Sequence, residues 1–196
     1  MMKDHNQNFF LNIENAYKSL NLSQLNKFAK IILRTRKMKG ALYIIGVGGS
    51  AGNSSHAVND FRKICGINAF SPTDNISEIT ARTNDDGWEH IFSEWLKISK
   101  ISSKDCILIF SVGGGNLKKN VSINIINAIK YAKKNKVNVL SILGRNDGYA
   151  AKNSTESIII NTLDKKLTTP VSESFQSVIW HCLVSNPILQ INKTKW

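Results

Sequence analysis

The chain has 196 residues, 42% of them hydrophobic, which suits one α/β domain with its own core. Its apolar runs are all much shorter than the about 20 residues of a membrane-spanning helix, and we expect no secretion signal, because the N-terminus lacks an apolar segment. The formal net charge is +12, but the basic residues are dispersed without a nucleic-acid-binding motif, so we expect an anionic metabolite rather than nucleic acid or membrane as partner. The three cysteines lack metal-binding spacing and are expected to be reduced core residues in the cytoplasm.

Two amphipathic helices are predicted before the first strand. The first covers residues 9–20 and has Phe10, Ile13 and Tyr17 on one face. The second is expected to be capped by Ser23 and to end before Gly40. An open α/β sheet does not need two helices at this position, so we expect this hairpin, residues 1–39, to pack against another subunit.

Strands and helices alternate from residue 40 onward. Short apolar segments predict strands at residues 41–45, 67–70, 106–110, 137–143 and 157–161. Helices are predicted from about residue 50 and over residues 76–82, 88–99, 121–134 and 172–185, with a polar loop at residues 83–87. This alternation predicts a doubly wound five-stranded parallel sheet with helices on both faces, as the core (residues 40–196) of one domain spanning residues 1–196.

Two glycine-rich loops directly follow the first and third predicted strands. The first glycine loop is residues 46–50, and the second glycine loop is residues 111–116. Ligands of open parallel sheets bind beyond the carboxyl ends of the strands, where free N–H groups at a helix start favour an anion. We therefore predict a phosphate site that includes Ser50, Ser111 and Asn116. Residues 46–51 also match a dinucleotide-binding pattern, but the second strand ends in Ser71 instead of an acidic residue, which favours a smaller phosphorylated ligand.

Four titratable residues could form a metal site. His56 and Asp60 are four residues apart on one helix and share a face, as in a two-ligand metal clamp. Glu173 and His181 lie eight residues apart on the last helix, which separates them by about 12 Å along its axis. His181 could equally be a histidine packed in the core, and Glu173 a first-turn carboxylate favoured by the helix dipole. Spacing alone therefore does not decide whether the four residues bind a metal.

The chain resembles the sugar isomerase (SIS) family and, within it, the phosphoheptose isomerases. The resemblance spans nearly the whole chain and rests on five segments, residues 46–50, 56–60, 83–87, 111–116 and 173–181. It implies a homotetramer with active sites at subunit interfaces. It also implies a zinc ion bound by His56, Asp60, Glu173 and His181.

The resemblance further implies which residues bind the substrate. The phosphate would contact Gly48, Gly49 and Ser50 in the first glycine loop and Ser111, Gly113 and Asn116 in the second. The sugar would contact Asn84, Asp85 and Glu173. Val47 replaces an asparagine that is usual in the family, and the second glycine loop has lost two hydroxyl groups, which its backbone N–H groups would have to replace.

The reaction implied by the resemblance is an aldose–ketose isomerisation. D-Sedoheptulose 7-phosphate would be converted through an enediol to D-glycero-D-manno-heptose 7-phosphate, for nucleotide-activated heptose biosynthesis. By analogy with the family, Asp60 would be the base and His181 the acid. Alternatives are a non-catalytic SIS module that binds a sugar phosphate, and an isomerase of another phosphosugar.

Overall fold

The computed structural model describes residues 4–193, and the chain begins with the predicted helical hairpin. Helix α1 is His5–Lys18 and helix α2 is Leu22–Lys37. The cap of α2 is Asn21 instead of the predicted Ser23. The Asn21 side-chain oxygen accepts from Ser23 N at 3.0 Å, so Ser23 already belongs to the first turn. The ends of the predicted domain, residues 1–3 and 194–196, lie outside the described residues.

Five parallel strands form the predicted sheet, in the order β2-β1-β3-β4-β5. They are β1 (Ala41–Ile45), β2 (Asn68–Phe70), β3 (Cys106–Ser111), β4 (Asn138–Leu143) and β5 (Glu156–Ile159). The sheet order reverses between β1 and β3, which pair directly. The carboxyl ends of these two strands therefore define the crevice in which ligands of such folds bind.

Six helices follow β1. They are α3 (Gly49–Lys63), α4 (Ile76–Asp85), α5 (Ile91–Ile98), α6 (Ile123–Lys134), α7 (Tyr149–Asn153) and α8 (Thr168–Val184). Short 3₁₀ turns cover Pro72–Asp74 and Lys165–Leu167. Helix α7 was not predicted, and α8 begins four residues before its predicted start.

The predicted loop at residues 83–87 is wrong at its start, because α4 continues to Asp85. Asn75 caps this helix, and its side-chain oxygen accepts from Ser77 N at 3.1 Å. Arg82 then lies between Glu78 and Asp86 at helical spacing, 3.6 and 3.7 Å from their carboxylates. These i, i+4 pairs favour the helix over the loop.

The two faces of the sheet contact separate hydrophobic clusters. Phe28, Phe61 and Trp180 belong to the cluster under α1, α2, α3 and α8, whereas Phe92 and Ile129 belong to the cluster under α5 and α6. The sheet is therefore covered on both faces, as predicted. Helices α3 and α8 lie side by side on the first face, where their contacts are extensive.

Cysteine burial differs from the prediction at one position. Cys65 and Cys106 are buried core residues, but Cys182 is exposed on α8. The buried face of α8 carries Phe175, Ile179 and Leu183. Cys182, one position before Leu183, therefore points away from the core. In the described part of the chain, the helices are all too short or too polar to cross a membrane.

Candidate active site

Helices α3 and α8 bring three of the four predicted metal ligands together. His56 and Asp60 come from α3, and His181 comes from the last turn of α8. One ligand atom from each lies within 4.8 Å of the other two. Both histidines are largely exposed, with side chains 60% and 46% accessible, whereas Asp60 is buried. The group therefore lies at the surface with its carboxylate at the bottom.

One oxygen of Asp60 lacks a hydrogen-bond partner. The Oδ1 atom accepts from Asn59 Nδ2 at 2.8 Å. The Oδ2 atom is buried and unpartnered within the described residues, 3.8 Å from His56 Nε2 and 3.9 Å from His181 Nε2. A buried carboxylate oxygen without a donor is costly, so this atom calls for a cation or a proton between it and the imidazoles.

The orientation of His181 indicates which kind of partner fits. Its Nδ1 atom lies 2.8 Å from the carbonyl oxygen of Ser177, which can only accept a hydrogen bond. Nδ1 must therefore be the protonated nitrogen, and in the neutral ring Nε2 carries a lone pair facing Asp60. An imidazole fixed through its other nitrogen and a facing carboxylate are typical zinc ligands. The three residues thus fit a metal ion.

A buried tryptophan supports the two imidazoles. The indole of Trp180 is fully buried, with ring centroids 4.6 Å from His56 and 3.5 Å from His181. Such a packed aromatic surface restricts both rings and so fixes the direction of their nitrogens. This support was not predicted, although Trp180 directly precedes His181 in the sequence.

Glu173, the fourth predicted ligand, lies elsewhere in this structure. Its carboxylate contacts the start of α3, where Ser50 Oγ donates to Glu173 Oε1 at 3.4 Å. It is not part of the three-residue group, because eight residues of straight helix, about 12 Å, separate it from His181. Glu173 therefore faces the first glycine loop instead of the three-residue group.

A polar network between α3 and α8 was missed by the sequence analysis. Gln176 is fully buried, donates to Ser50 Oγ at 3.1 Å and accepts from Asn53 Nδ2 at 2.9 Å. Asn53 also accepts from Ser177 Oγ at 2.9 Å. In the sequence, the sign of this network is Gln176 itself, a polar residue in an otherwise apolar stripe of the last helix. The network holds the two helices in one register and so sets the geometry of the three-residue group.

The second glycine loop is a compact turn at the end of β3. The buried Ser111 Oγ accepts from Gly114 N at 3.0 Å, and Asn116 Oδ1 accepts from Lys119 N at 3.0 Å. Gly114 and Gly115 have φ values of +67° and +83°, which favour glycine. The region beside the Cα of Gly113 is open: no described residue has an atom within 4 Å of a Cβ built at this position. This side of the loop can receive a ligand.

The predicted sugar-binding pair lies at the end of α4. Asn84 and Asp85 are exposed, and Asn84 Nδ2 donates to Asp85 Oδ1 at 2.8 Å. No hydrogen bond in residues 4–193 links them to the three-residue group. Their predicted role in sugar binding therefore stays a prediction.

Comparison with known families gives the class of this protein. The family model described as the SIS domain matches residues 8–144. The match covers most of the helical hairpin, both glycine loops and the first four strands. The chain therefore belongs to the SIS domain family, as its sequence predicted.

Within the family, the chain is similar to enzymes named phosphoheptose isomerase. It is 27% identical to a probable phosphoheptose isomerase of Thermoplasma volcanium, over 84% of this chain and 81% of the relative. It is 28% identical to the phosphoheptose isomerase of Helicobacter pylori strain P12, over 93% and 94% of the two chains. The structure of the Neisseria gonorrhoeae phosphoheptose isomerase superposes with a TM-score of 0.77, at 23% identity and with 92% and 93% coverage. The predicted resemblance to the phosphoheptose isomerases is thereby confirmed.

Proposed function

We propose that this protein is a metal-dependent aldose–ketose isomerase of a phosphorylated sugar, with D-sedoheptulose 7-phosphate as substrate and D-glycero-D-manno-heptose 7-phosphate as product. The observation that carries the proposal is the buried Oδ2 of Asp60, which has no hydrogen-bond partner within residues 4–193 and faces two imidazole nitrogens. The names of the curated relatives support the choice of a seven-carbon substrate. The product would enter nucleotide-activated heptose biosynthesis.

The three-residue group would hold a zinc ion. His56, Asp60 and His181 supply two nitrogens and one oxygen, a donor set that suits zinc and leaves a position open for substrate. A bound zinc ion would polarise the carbonyl and hydroxyl oxygens of the sugar and lower the cost of the enediolate. The residues themselves then have to move the proton.

Proton transfer would be divided between two side chains. We assign Asp60 as the base that carries the carbon-bound proton from C1 to C2. We assign His181 as the acid that donates a proton to, and takes one from, the oxygens on these two carbons. His181 suits this role because its Nδ1 is held by the Ser177 carbonyl and only Nε2 faces the site. General acid–base catalysis of this kind contributes roughly 10²–10⁴-fold to rate.

The glycine loops would bind the substrate beside this group. The open side of the second loop at Gly113, the hydroxyl of Ser111 and the side chain of Asn116 are the proposed phosphate contacts. Gly48, Gly49 and Ser50 line the sugar side of the crevice with Glu173. Asn84 and Asp85 would complete the sugar contacts.

A homotetramer in the cytoplasm is part of the same proposal. Phe10 and Tyr17 are 68% and 67% exposed on the outer face of α1, and Val178 is 53% exposed one turn before His181. Phe10 and Tyr17 are seven residues apart and share one face of α1, and an exposed apolar face supports a protein–protein contact. A subunit interface along α1 and α8 would place each active site beside a neighbouring subunit.

A coupled assay with sedoheptulose 7-phosphate tests the reaction. The purified protein is assayed metal-free and after addition of zinc, and heptose 7-phosphate is measured as product. Zinc-dependent turnover is expected. Thermal stabilisation by the sugar phosphate without turnover would instead indicate a binding module or an isomerase of another phosphosugar.

A further inference from the structure

Lysines that are far apart in the sequence come together at the amino-terminal edge of the sheet. Lys39, Lys104 and Lys136 each lie two residues before the first residue of a strand, in β1, β3 and β4 respectively. These three strands are neighbours in the sheet, and neighbouring strands are about 4.8 Å apart. The carbonyl group of Lys104 packs directly on Gly40, which follows Lys39. The three lysines therefore cross this edge side by side, at the end of the sheet opposite the two glycine loops.

Further lysines lie at the same edge, because the helices that lead into these strands end there. Helices α2, α5 and α6 precede β1, β3 and β4 in the chain. Each connection contributes two exposed lysines to a surface that we call the basic edge: Lys37, Lys39, Lys100, Lys104, Lys134 and Lys136. Within residues 4–193, none of them forms an ion pair.

The acidic side chains nearest to the basic edge in the chain already have other partners. Asp105 is buried, and its two carboxylate oxygens accept from Ala41 N and Ser102 N, each at 2.7 Å. Glu94 of α5 forms an ion pair with Lys97 at 3.0 Å. The basic edge therefore presents a positive charge to the solvent.

The ends of the helices do not explain these lysines. A lysine in the last turn is favoured by the helix dipole, which accounts for those within α2 and α6. Lys39, Lys100 and Lys136, however, lie beyond the helices with φ values of +56°, +52° and +56°, a conformation in which glycine is the least strained residue. Lys104 lies outside the helices of the described chain. Long cationic side chains are thus present where glycine would end a helix with less strain.

A groove beside the basic edge indicates the chemistry of a partner. It has a volume of about 320 Å³ and lies along the last turns of α2, directly before Lys39. Leu33 and Met38 are partly exposed in it, and Lys30, Arg34 and Lys37 supply its charges. An apolar side chain fits such a groove, and carboxylates on either side of that side chain would meet the surrounding cations.

This combination favours a protein partner over nucleic acid or membrane. The groove and the basic edge include no aromatic ring on which a base could stack. A nucleic-acid backbone also has no apolar side chain to place against Leu33 and Met38. Insertion into a bilayer needs apolar residues that protrude, whereas these two line a concave surface.

We propose that the basic edge and the adjoining groove bind an acidic segment of another protein. One apolar side chain of that segment occupies the groove, and its aspartate and glutamate side chains contact the lysines. The site lies at the opposite end of the strands from the glycine loops. Binding there leaves the proposed active site open to its substrate.

A fluorescent peptide tests the proposal. The probe is a polyglutamate peptide with a single leucine at its centre, and its binding to the full chain is measured by fluorescence anisotropy at low and at physiological salt. Replacement of the leucine by serine should weaken binding at least about tenfold, because an apolar side chain is no longer buried. The protein variant Lys39→Gln/Lys104→Gln/Lys136→Gln should also bind at least about tenfold more weakly, with a smaller dependence on salt.

The matched control is Lys119→Gln/Lys165→Gln/Lys166→Gln, which removes the same charge from exposed positions that follow the carboxyl ends of strands. It should bind the peptide within about twofold of the wild type, since distant exposed charges are screened. Undiminished peptide binding by the folded basic-edge variant, or no peptide binding by the wild type, would overturn the proposal. Tighter binding of a single-stranded oligonucleotide of equal charge, or of phosphatidylserine vesicles, would overturn it in favour of nucleic acid or membrane.

Discussion

At the level of single residues, Asp60 is the centre of the site. Its buried Oδ2 is unpartnered among the described residues, although the neighbouring Oδ1 is satisfied by Asn59. Natural proteins seldom leave a buried carboxylate oxygen without a donor. The two imidazole nitrogens nearby make a shared cation the simplest explanation.

Replacement of Asp60 by asparagine should remove both metal affinity and the catalytic base. We expect turnover to fall at least about a hundredfold, with the thermal midpoint little changed, because the amide keeps the shape of the carboxylate. Steady-state kinetics and zinc titration measure the two effects. Full activity in Asp60→Asn would contradict the assignment, and Arg62→Gln, at an exposed position of the same helix, serves as a neighbouring control.

The three cysteines should differ in reactivity according to burial. Burial raises the pKa of the Cys65 thiol to about 12 and that of Cys106 above its ordinary value as well. Because only the thiolate reacts, and these two thiols stay protonated at pH 8, native protein should incorporate at most one equivalent of iodoacetamide, and only at Cys182. Mass spectrometry of the native and the unfolded protein measures this. Rapid labelling of Cys65 in the native state would contradict the structure.

At the level of elements, the contact between α3 and α8 determines the site. Helix α3 supplies two residues of the three-residue group and α8 supplies the third. Their alignment depends on a buried amide, Gln176, which bonds to Ser50 and Asn53 of the facing helix. A shift of one helix along the other would separate Asp60 from His181.

Gln176→Leu should therefore affect both stability and metal binding. Loss of the two buried hydrogen bonds from Gln176 to Ser50 and Asn53 costs about 1–3 kcal/mol of unfolding free energy. We expect weaker zinc binding as well, which a loss of stability alone would not produce at temperatures where the protein is folded. Gln7→Leu, at an exposed position of α1, is the matched control. Unchanged stability and zinc affinity would show that the network is dispensable.

The elements themselves were largely predictable. Apolar segments such as Ala41–Ile45 and Cys106–Ser111 match the observed strands, since a parallel strand covered on both faces must be apolar throughout. Polar boundaries were less predictable. Asn84 and Asp85 have turn-forming side chains, but the ion pairs of Arg82 extend α4 through them.

The site was predictable only where local spacing determined it. His56 and Asp60 share a face because they are four residues apart on one helix. Family resemblance grouped Glu173 with His181. The position of the Glu173 carboxylate, however, depends on which part of α3 packs beside it, and that part is the start of the helix. Gln176 could not be assigned either, because a buried amide is recognisable only once its partners on the other helix are known.

At the level of the whole molecule, the helical hairpin leaves an apolar surface on α1. Phe10→Ser with Tyr17→Ser should reduce the proposed tetramer to smaller species, because both side chains are about two-thirds exposed in one subunit. Light scattering after size exclusion measures the mass. Ile98→Ser changes a similarly exposed residue on α5 and should leave the assembly intact. A monomeric wild-type protein would contradict the proposal.

The most direct test of the central claim is a zinc titration with sedoheptulose 7-phosphate turnover measured in the same samples. We predict that activity rises in proportion to bound zinc and stops rising at one ion per subunit, and that His181→Gln abolishes both. Full turnover by rigorously metal-free protein would contradict the metal site. No turnover by fully zinc-loaded protein would contradict the proposed reaction.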